Sequence, residues 1–269
     1  MKRFNFSVAI LAYKEYDTVY GLLSYIKEAG LVFNNIFICA DKIPLSEGLS
    51  EVTKAYQYKE LVSSQNIQFI NRKKHGGVIG TVDYLDMAPI TEKEYLVVIE
   101  DDLFATVGFF NQCEHFFANI RSNKTPIFVG YSQVSLTESY FKTYSLMHMW
   151  GFAMQVNDLR KVIDYHNRVR RYTTDEKQKI INDVKEYVYP CKVFEKYKED
   201  LLGKVSELFL KDSDESVDVY FMFYFLQNRL QIAKPTKSHI RSFKPNLYNE
   251  PSENPIEADI KANITNFTV

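Results

Sequence analysis

Apolar and polar positions alternate in two different rhythms through the first half of the chain. Short apolar runs stand at Phe6–Tyr13, Ile36–Ala40, Ile67–Ile70, Tyr95–Ile99 and Ile127–Gly130. Each has the length of a strand and is rich in β-branched or aromatic residues, so each predicts a strand. The intervening segments repeat at helical spacing. Val19, Leu22, Leu23 and Ile26 share one helical face, with Asp17 placed to cap the start and Gly30 to end the helix. Further helices are predicted over about 50–63 and 107–120, with a loop feeding a helix across 71–88.

Apolar strands separated by amphipathic helices predict an α/β fold, with a mostly parallel, Rossmann-like central sheet covered by helices on both faces. From Asp158 to Leu210 the composition shifts to Lys, Glu, Arg and Tyr, with Pro190 as its one proline. That stretch predicts two or three inserted helices, and Asp218–Leu230 predicts another. The expected division is a ligand-binding core at 1–157, a helical insert at 158–216, a return to the core at 217–241 and a tail at 242–269.

Composition narrows the function classes. Apolar residues are 46% and charged residues 25% of the 269-residue chain, which suits a packed globular protein and not a disordered one. A formal net charge of −1 offers no basic field for nucleic acid, so no nucleic-acid partner is expected. Cys39, Cys113 and Cys191 are widely spaced and odd in number, which supports neither a disulfide framework nor a zinc site. The opening MKRFNFSVAILAY begins basic and turns apolar, but reads as a buried first strand and not as a signal peptide. No stretch is long and apolar enough for a membrane span, and a cytoplasmic protein is expected.

In parallel sheets, ligands bind beyond the carboxyl ends of the strands. There the chain places Lys14-Glu15, Asp41-Lys42, Asn71-Arg72 and Glu100-Asp101-Asp102. Three successive carboxylates after a buried strand repel one another unless a cation intervenes. Hard oxygen ligands suit Mg²⁺ or Mn²⁺, which commonly take one or two carboxylates and fill their shell with phosphate and water. The competing reading is a solvated acidic turn, with Asp102 capping the next helix. The turn AYKEYDTVYG lacks G-x-G-x-x-G, and no G-x-x-x-x-G-K-[ST] occurs, so a phosphate-bearing ligand would depend on the metal. A receiver-domain reading of VVIEDD fails, because there the acidic pair follows the first strand.

The segment LVVIEDDLFATVGFF, Leu96–Phe110, resembles the D-x-D-like region of GT-A glycosyltransferases. Its E-D-D form is closest to the N-acetylglucosaminyltransferase I type and related bacterial polysaccharide transferases. SVAILAYKEYDTVYGLLSYI resembles that family's opening strand and helix, and Phe37–Asp41 its second strand. Met149–Ala153 resembles its W-G-[WF]-A segment, and VDVYFMFYFLQNRLQIAKPTKS, Val217–Ser238, its late helix followed by Pro and Ser. The likeness spans roughly residues 6–240. It implies a GT-A fold in which Asp102 binds the metal, Mn²⁺ or Mg²⁺. Glu100 and Asp101 contact the ribose and sugar of a nucleotide sugar, UDP-linked by expectation, and Asp41 contacts the nucleotide. Trp150 walls the sugar. Asp218 serves as the base of an inverting transfer to a glycan hydroxyl.

The helical insert has no counterpart in that family. Lipid-linked glycan acceptors are common among such enzymes, so peripheral contact with the inner face of a membrane belongs to the same expectation. His239 lies near where some members place a third metal ligand. Two alternatives stay open: a sugar nucleotidyltransferase, which normally carries a Gly-rich basic loop after its first strand, and an inactive GT-A-like binding module.

Overall fold

The computed structural model describes residues 1–12, 16–40, 66–71, 90–131, 140–143, 151–185, 198–211 and 217–242. Among these, the strands are β1 (Lys2–Arg3), β2 (Ser7–Ala12), β3 (Leu31–Val32), β4 (Ile36–Ala40), β5 (Ile67–Asn71) and β6 (Tyr95–Glu100). They continue with β7 (Leu103–Ala105), β8 (Ile127–Val129), β9 (Tyr140–Thr143), β10 (Phe152–Gln155), β11 (Ile232–Pro235) and β12 (Ile240–Ser242). The helices are α1 (Tyr16–Glu28), α2 (Val107–His115), α3 (Val156–Val169), α4 (Thr174–Lys185), α5 (Lys198–Lys211) and α6 (Val217–Gln227).

Eight strands form one sheet in the order β5-β4-β2-β6-β10-β8-β11-β9. The pairings β5/β4, β4/β2, β2/β6 and β8/β11 are parallel, and the other three are antiparallel. The protein is therefore an α/β fold with a mixed central sheet flanked by helices. β1 pairs with β3, and β7 with β12, in two small outlying ladders.

Both faces of the sheet are dry, which is why SVAILA and YLVVIE are apolar without alternation. Val8, Ile10 and Ala12 face a core shared with α1, α2 and a cluster of phenylalanines. Ala9, Phe37, Leu96 and Val98 face the opposite core, built with α3 and α6. A third cluster joins the ends of α3 and α6 to α4 and α5.

Three expectations need correction. α1 starts at Tyr16, so Asp17 stands inside its first turn and not before it. Gly30 does end the helix, at φ +61°, with its N–H on Lys27 O at 3.0 Å. The helix expected through Ile120 is α-helical only to His115, and Phe116–Ile120 continue as a π-helical turn. The last core helix ends at Gln227, where Arg229 turns to φ +53° and cannot extend it. The helix over 50–63 lies outside the described residues, as does the loop across 71–88 apart from Asn71, which ends β5.

Candidate functional site at the sheet's carboxyl edge

The strand register assembles the acidic segment. Leu11 of β2 pairs with Glu100 at the end of β6, and Asp101 N–H donates to Leu11 O at 2.9 Å. Across β2, Ala12 pairs with Ala40, and Ala40 pairs with Asn71. At about 4.8 Å per strand, the ends of β5, β4, β2 and β6 form one continuous rim.

The chain leaves β2 toward β4 and β5 on one side, and returns to β6 on the other. The order therefore reverses between β2 and β6, which is where crevices open in doubly wound sheets. Glu100, Asp101 and Asp102 sit at that reversal. All three are half-buried, and Oδ1 of Asp102 is shielded from solvent.

Two helix N-termini open at the same edge. α1 follows the carboxyl end of β2. The direction of α6 is fixed by its contacts: Phe221 lies 5.8 Å from Phe152 at the upper end of β10, whereas Gln231 N–H, beyond its C-terminus, reaches Lys124 O at the lower edge. Each N-terminus carries a partial positive charge that favours anions.

After Asp102 the chain is clamped. β7 pairs with β12, with Leu103 opposite Ser242 and Ala105 opposite Ile240. Thr106 makes no side-chain cap for α2. Instead Val107 N–H donates to the Tyr25 hydroxyl at 2.9 Å, and the Tyr25 ring packs 5.2 Å from Phe104. Tyr25 is a residue that sequence reasoning missed; its place on α1 next to the buried stripe was the only signal.

His239 sits beside Thr106, whose N–H and Oγ1 both donate to His239 O. A Cβ on Gly108 would lie 2.4 Å from His239 Nδ1, so the imidazole covers that glycine. The ring thus packs against the start of α2.

Of the segment Met149–Ala153, the described residues begin at Gly151 and lead into β10. β10 begins beside Val98 and Val129 and runs antiparallel to both neighbours. Gly151 precedes it at φ +65°, and its carbonyl accepts Gly130 N–H at 2.7 Å. A Cβ at Gly130 would come within 2.2 Å of Phe109, and one at Gly151 within 2.2 Å of Ile240. Glycine is thus required at both positions by close approach.

Asp41 and Trp150 lie outside the described residues. Asp218 is in the first turn of α6, on the site's side of the sheet, and its side chain is outside the description too. Cys39 is buried within β4, and desolvation pushes its thiol up to about 12, so it is inert and no ligand.

The donor set fits a hard divalent cation in chemistry. Among the described residues no three His, Cys, Asp or Glu side chains gather around one point. The segment offers carboxylate oxygens in the number that suits an ion completing its shell with phosphate oxygens.

No family model and no curated protein matches this chain. Solved structures do. The mannosyltransferase PcManGT from Pyrobaculum calidifontis, in complex with GDP-Man and Mn²⁺, is 12% identical with TM-score 0.41, covering 61% of this chain and 47% of its own. S. aureus TarS is 13% identical with TM-score 0.45, covering 90% and 37%. HddC from Yersinia pseudotuberculosis is 12% identical with TM-score 0.38, covering 59% and 78%. The chain thus spans about half the length of the mannosyltransferase it resembles. Among the described residues no helix is long and apolar enough to cross a membrane.

Proposed function

We propose that this chain is a GT-A glycosyltransferase that transfers a sugar from a nucleotide diphosphate sugar, UDP-linked, to a glycan hydroxyl with inversion. The observation that carries the reading is the position of Glu100, Asp101 and Asp102 at the topological reversal between β2 and β6. The partial burial of all three at that reversal supports the reading.

Asp102 would hold Mn²⁺ or Mg²⁺, which when bound supplies Lewis acidity to the departing diphosphate. The protein's own groups do the rest. Glu100 and Asp101 accept hydrogen bonds from ribose and sugar hydroxyls, and their placement is stiffened by the Asp101–Leu11 backbone bond. The N-termini of α1 and α6 bring partial positive charge to the same edge. Asp41, directly after β4, contacts the nucleotide, and Trp150, directly before Gly151, walls the sugar. Asp218 takes the proton from the acceptor hydroxyl, for which it must lie within hydrogen-bond reach.

Thermal denaturation with UDP, GDP, CDP and dTDP, with and without Mn²⁺, tests the reading. A ligand that binds only the folded state raises Tm. The expected result is a Mn²⁺-dependent rise with UDP that disappears in Asp102→Ala. No rise with any nucleotide, in folded wild-type protein, removes the reading and leaves a solvated acidic turn. With a sugar nucleotide and acceptor, release of nucleoside diphosphate is expected. Release of pyrophosphate from sugar phosphate and nucleoside triphosphate would instead identify a nucleotidyltransferase.

A further inference from the structure

α6 is apolar on all sides. Its sequence, VDVYFMFYFLQ, holds one charged residue, Asp218. Phe221 and Phe225 pack into the core built on the sheet, while Tyr220, Met222 and Phe223 pack into the cluster shared with α3, α4 and α5. A helix of that kind buries similar apolar area at any rotation about its axis, so burial alone sets its register weakly. The register matters here, because it decides which side of the helix Asp218 occupies.

Directional contacts supply what burial does not. Two of them meet on Tyr220, two residues after Asp218. The His166 ring, from α3, stands edge-on to the Tyr220 ring at 4.7 Å and 88°. The Lys177 ammonium, from α4, lies 5.9 Å from the centre of the same ring and 5.8 Å from that of Phe209, on α5. Phe209 in turn packs 5.3 Å from Tyr220 and 4.0 Å from Phe223. One turn further along α6, Tyr224 meets Tyr165 of α3 at 5.4 Å and 64°.

Stability does not account for the polar members of this set. His166 is fully buried and Lys177 is 2% exposed. Withdrawing an ammonium from water is costly, and an apolar side chain of like volume in such a place is commonly neutral or stabilising. What a cation over a ring and an edge-on imidazole add is direction. Among the described residues, the cluster that holds α4 and α5 draws on α3 and α6 and on no strand. The grip of the insert on Tyr220 is therefore passed to the turn of α6 that carries Asp218.

We propose that Lys177 and His166 are positioning residues, which act through Tyr220 to hold α6, and with it Asp218, in the register that base catalysis needs. The inference rests on the reading of Asp218 as the base of sugar transfer, and it gives the helical insert the task of aligning that base. A misplacement of about 1 Å can cost about a hundredfold in rate.

The test compares K177M and H166L with wild type in the full chain. Turnover is read as UDP release from the UDP-sugar and glycan acceptor that support it in wild type, and stability as the urea midpoint. Both variants should keep the rise in Tm with UDP and Mn²⁺. Both should lose about 10- to 100-fold in kcat, with the donor KM held within about twofold. K179M, the same exchange at an exposed position of α4, should match wild type. Because the loss runs through Asp218, K177M should change the residual rate of D218N by less than about twofold. Full rate in folded K177M and H166L overturns the proposal. So do an equal loss in K179M, multiplying losses in the K177M/D218N double variant, or a loss that tracks a lowered urea midpoint. Wild type that transfers no sugar removes the proposed function instead. Amide exchange along residues 219–227 then reads the anchor alone: about tenfold faster exchange in both variants at an unchanged urea midpoint is expected, and unchanged exchange overturns it.

Discussion

Replacing Gly151 by alanine perturbs the joint behind the acidic edge in two separable ways. Its φ of +65° is left-handed, where an L-residue costs ~1–2 kcal/mol. The new Cβ would also lie 2.2 Å from Ile240 Cδ1 and 3.2 Å from Phe109 Cζ, both in the packed core. Relief by moving a buried side chain costs ~1–3 kcal/mol. The expected loss is therefore about 2–5 kcal/mol, against a typical total of ~5–15 kcal/mol. Ile240→Val removes the atom that is struck, at its own cost of ~0.5–1.5 kcal/mol. In a double-mutant cycle followed by urea unfolding, the pair should couple favourably, by about 1–3 kcal/mol. The backbone cost would remain. A loss below about 1 kcal/mol in Gly151→Ala, or strict additivity in the cycle, would refute the argument from close approach.

Gly21 in α1 and Gly203 in α5 present the opposite case, since a Cβ on either would meet nothing within 4 Å. Alanine at each should stabilise by ~0.5–1 kcal/mol, read as a rise in Tm. Ser7, fully buried at the lower edge, bonds Glu94 and accepts Asn35 Nδ2–H at 3.1 Å. Ser7→Ala should cost ~1–3 kcal/mol by stranding those partners, measured by urea unfolding. Burial pushes Cys39 up to about 12 from 9.0, and desolvation takes Tyr140 up to about 12 from 10.0. Both groups hold their protons longer in the folded state. Their contribution is complete below pH 9 and is lost as pH rises toward 12, so unfolding midpoints should fall across that window. Native Cys39 should also resist a thiol reagent at pH 8 and react once the chain is unfolded.

The elements legible in the sequence were those whose stability is local or whose burial is two-sided. Ile36–Ala40 and Tyr95–Ile99 are apolar throughout because both faces of the sheet are covered, and the stripe on α1 shows at helical spacing. β7, β10, β11 and β12 did not stand out as strands. Each has three or four residues and is defined by a distant partner: Phe152 by Val98 and Val129, Ile240 by Ala105. Periodicity cannot report a ladder whose other half lies far along the chain, from Val129 for Phe152 to Ala105 for Ile240. The acidic segment was legible because like charges after a buried strand are costly. The clamp that holds it, Tyr25 on Val107 and His239 over Gly108, was not, since it joins residues without any shared motif.

β11 (Ile232–Pro235) enters the sheet between β8 (Ile127–Val129) and β9 (Tyr140–Thr143), although both lie far before it in the chain. A growing chain can pair β5, β4, β2, β6, β10 and β8 once Gln155 has emerged, but β9 then has no neighbour. At ~5–20 residues per second, several seconds pass before Ile232–Pro235 arrives. Throughout that interval β8 presents an apolar edge, Ile127-Phe128-Val129, with open backbone groups. Nascent chains, and truncations ending before residue 232, should therefore be the aggregation-prone forms of this protein and the ones that engage chaperones during synthesis.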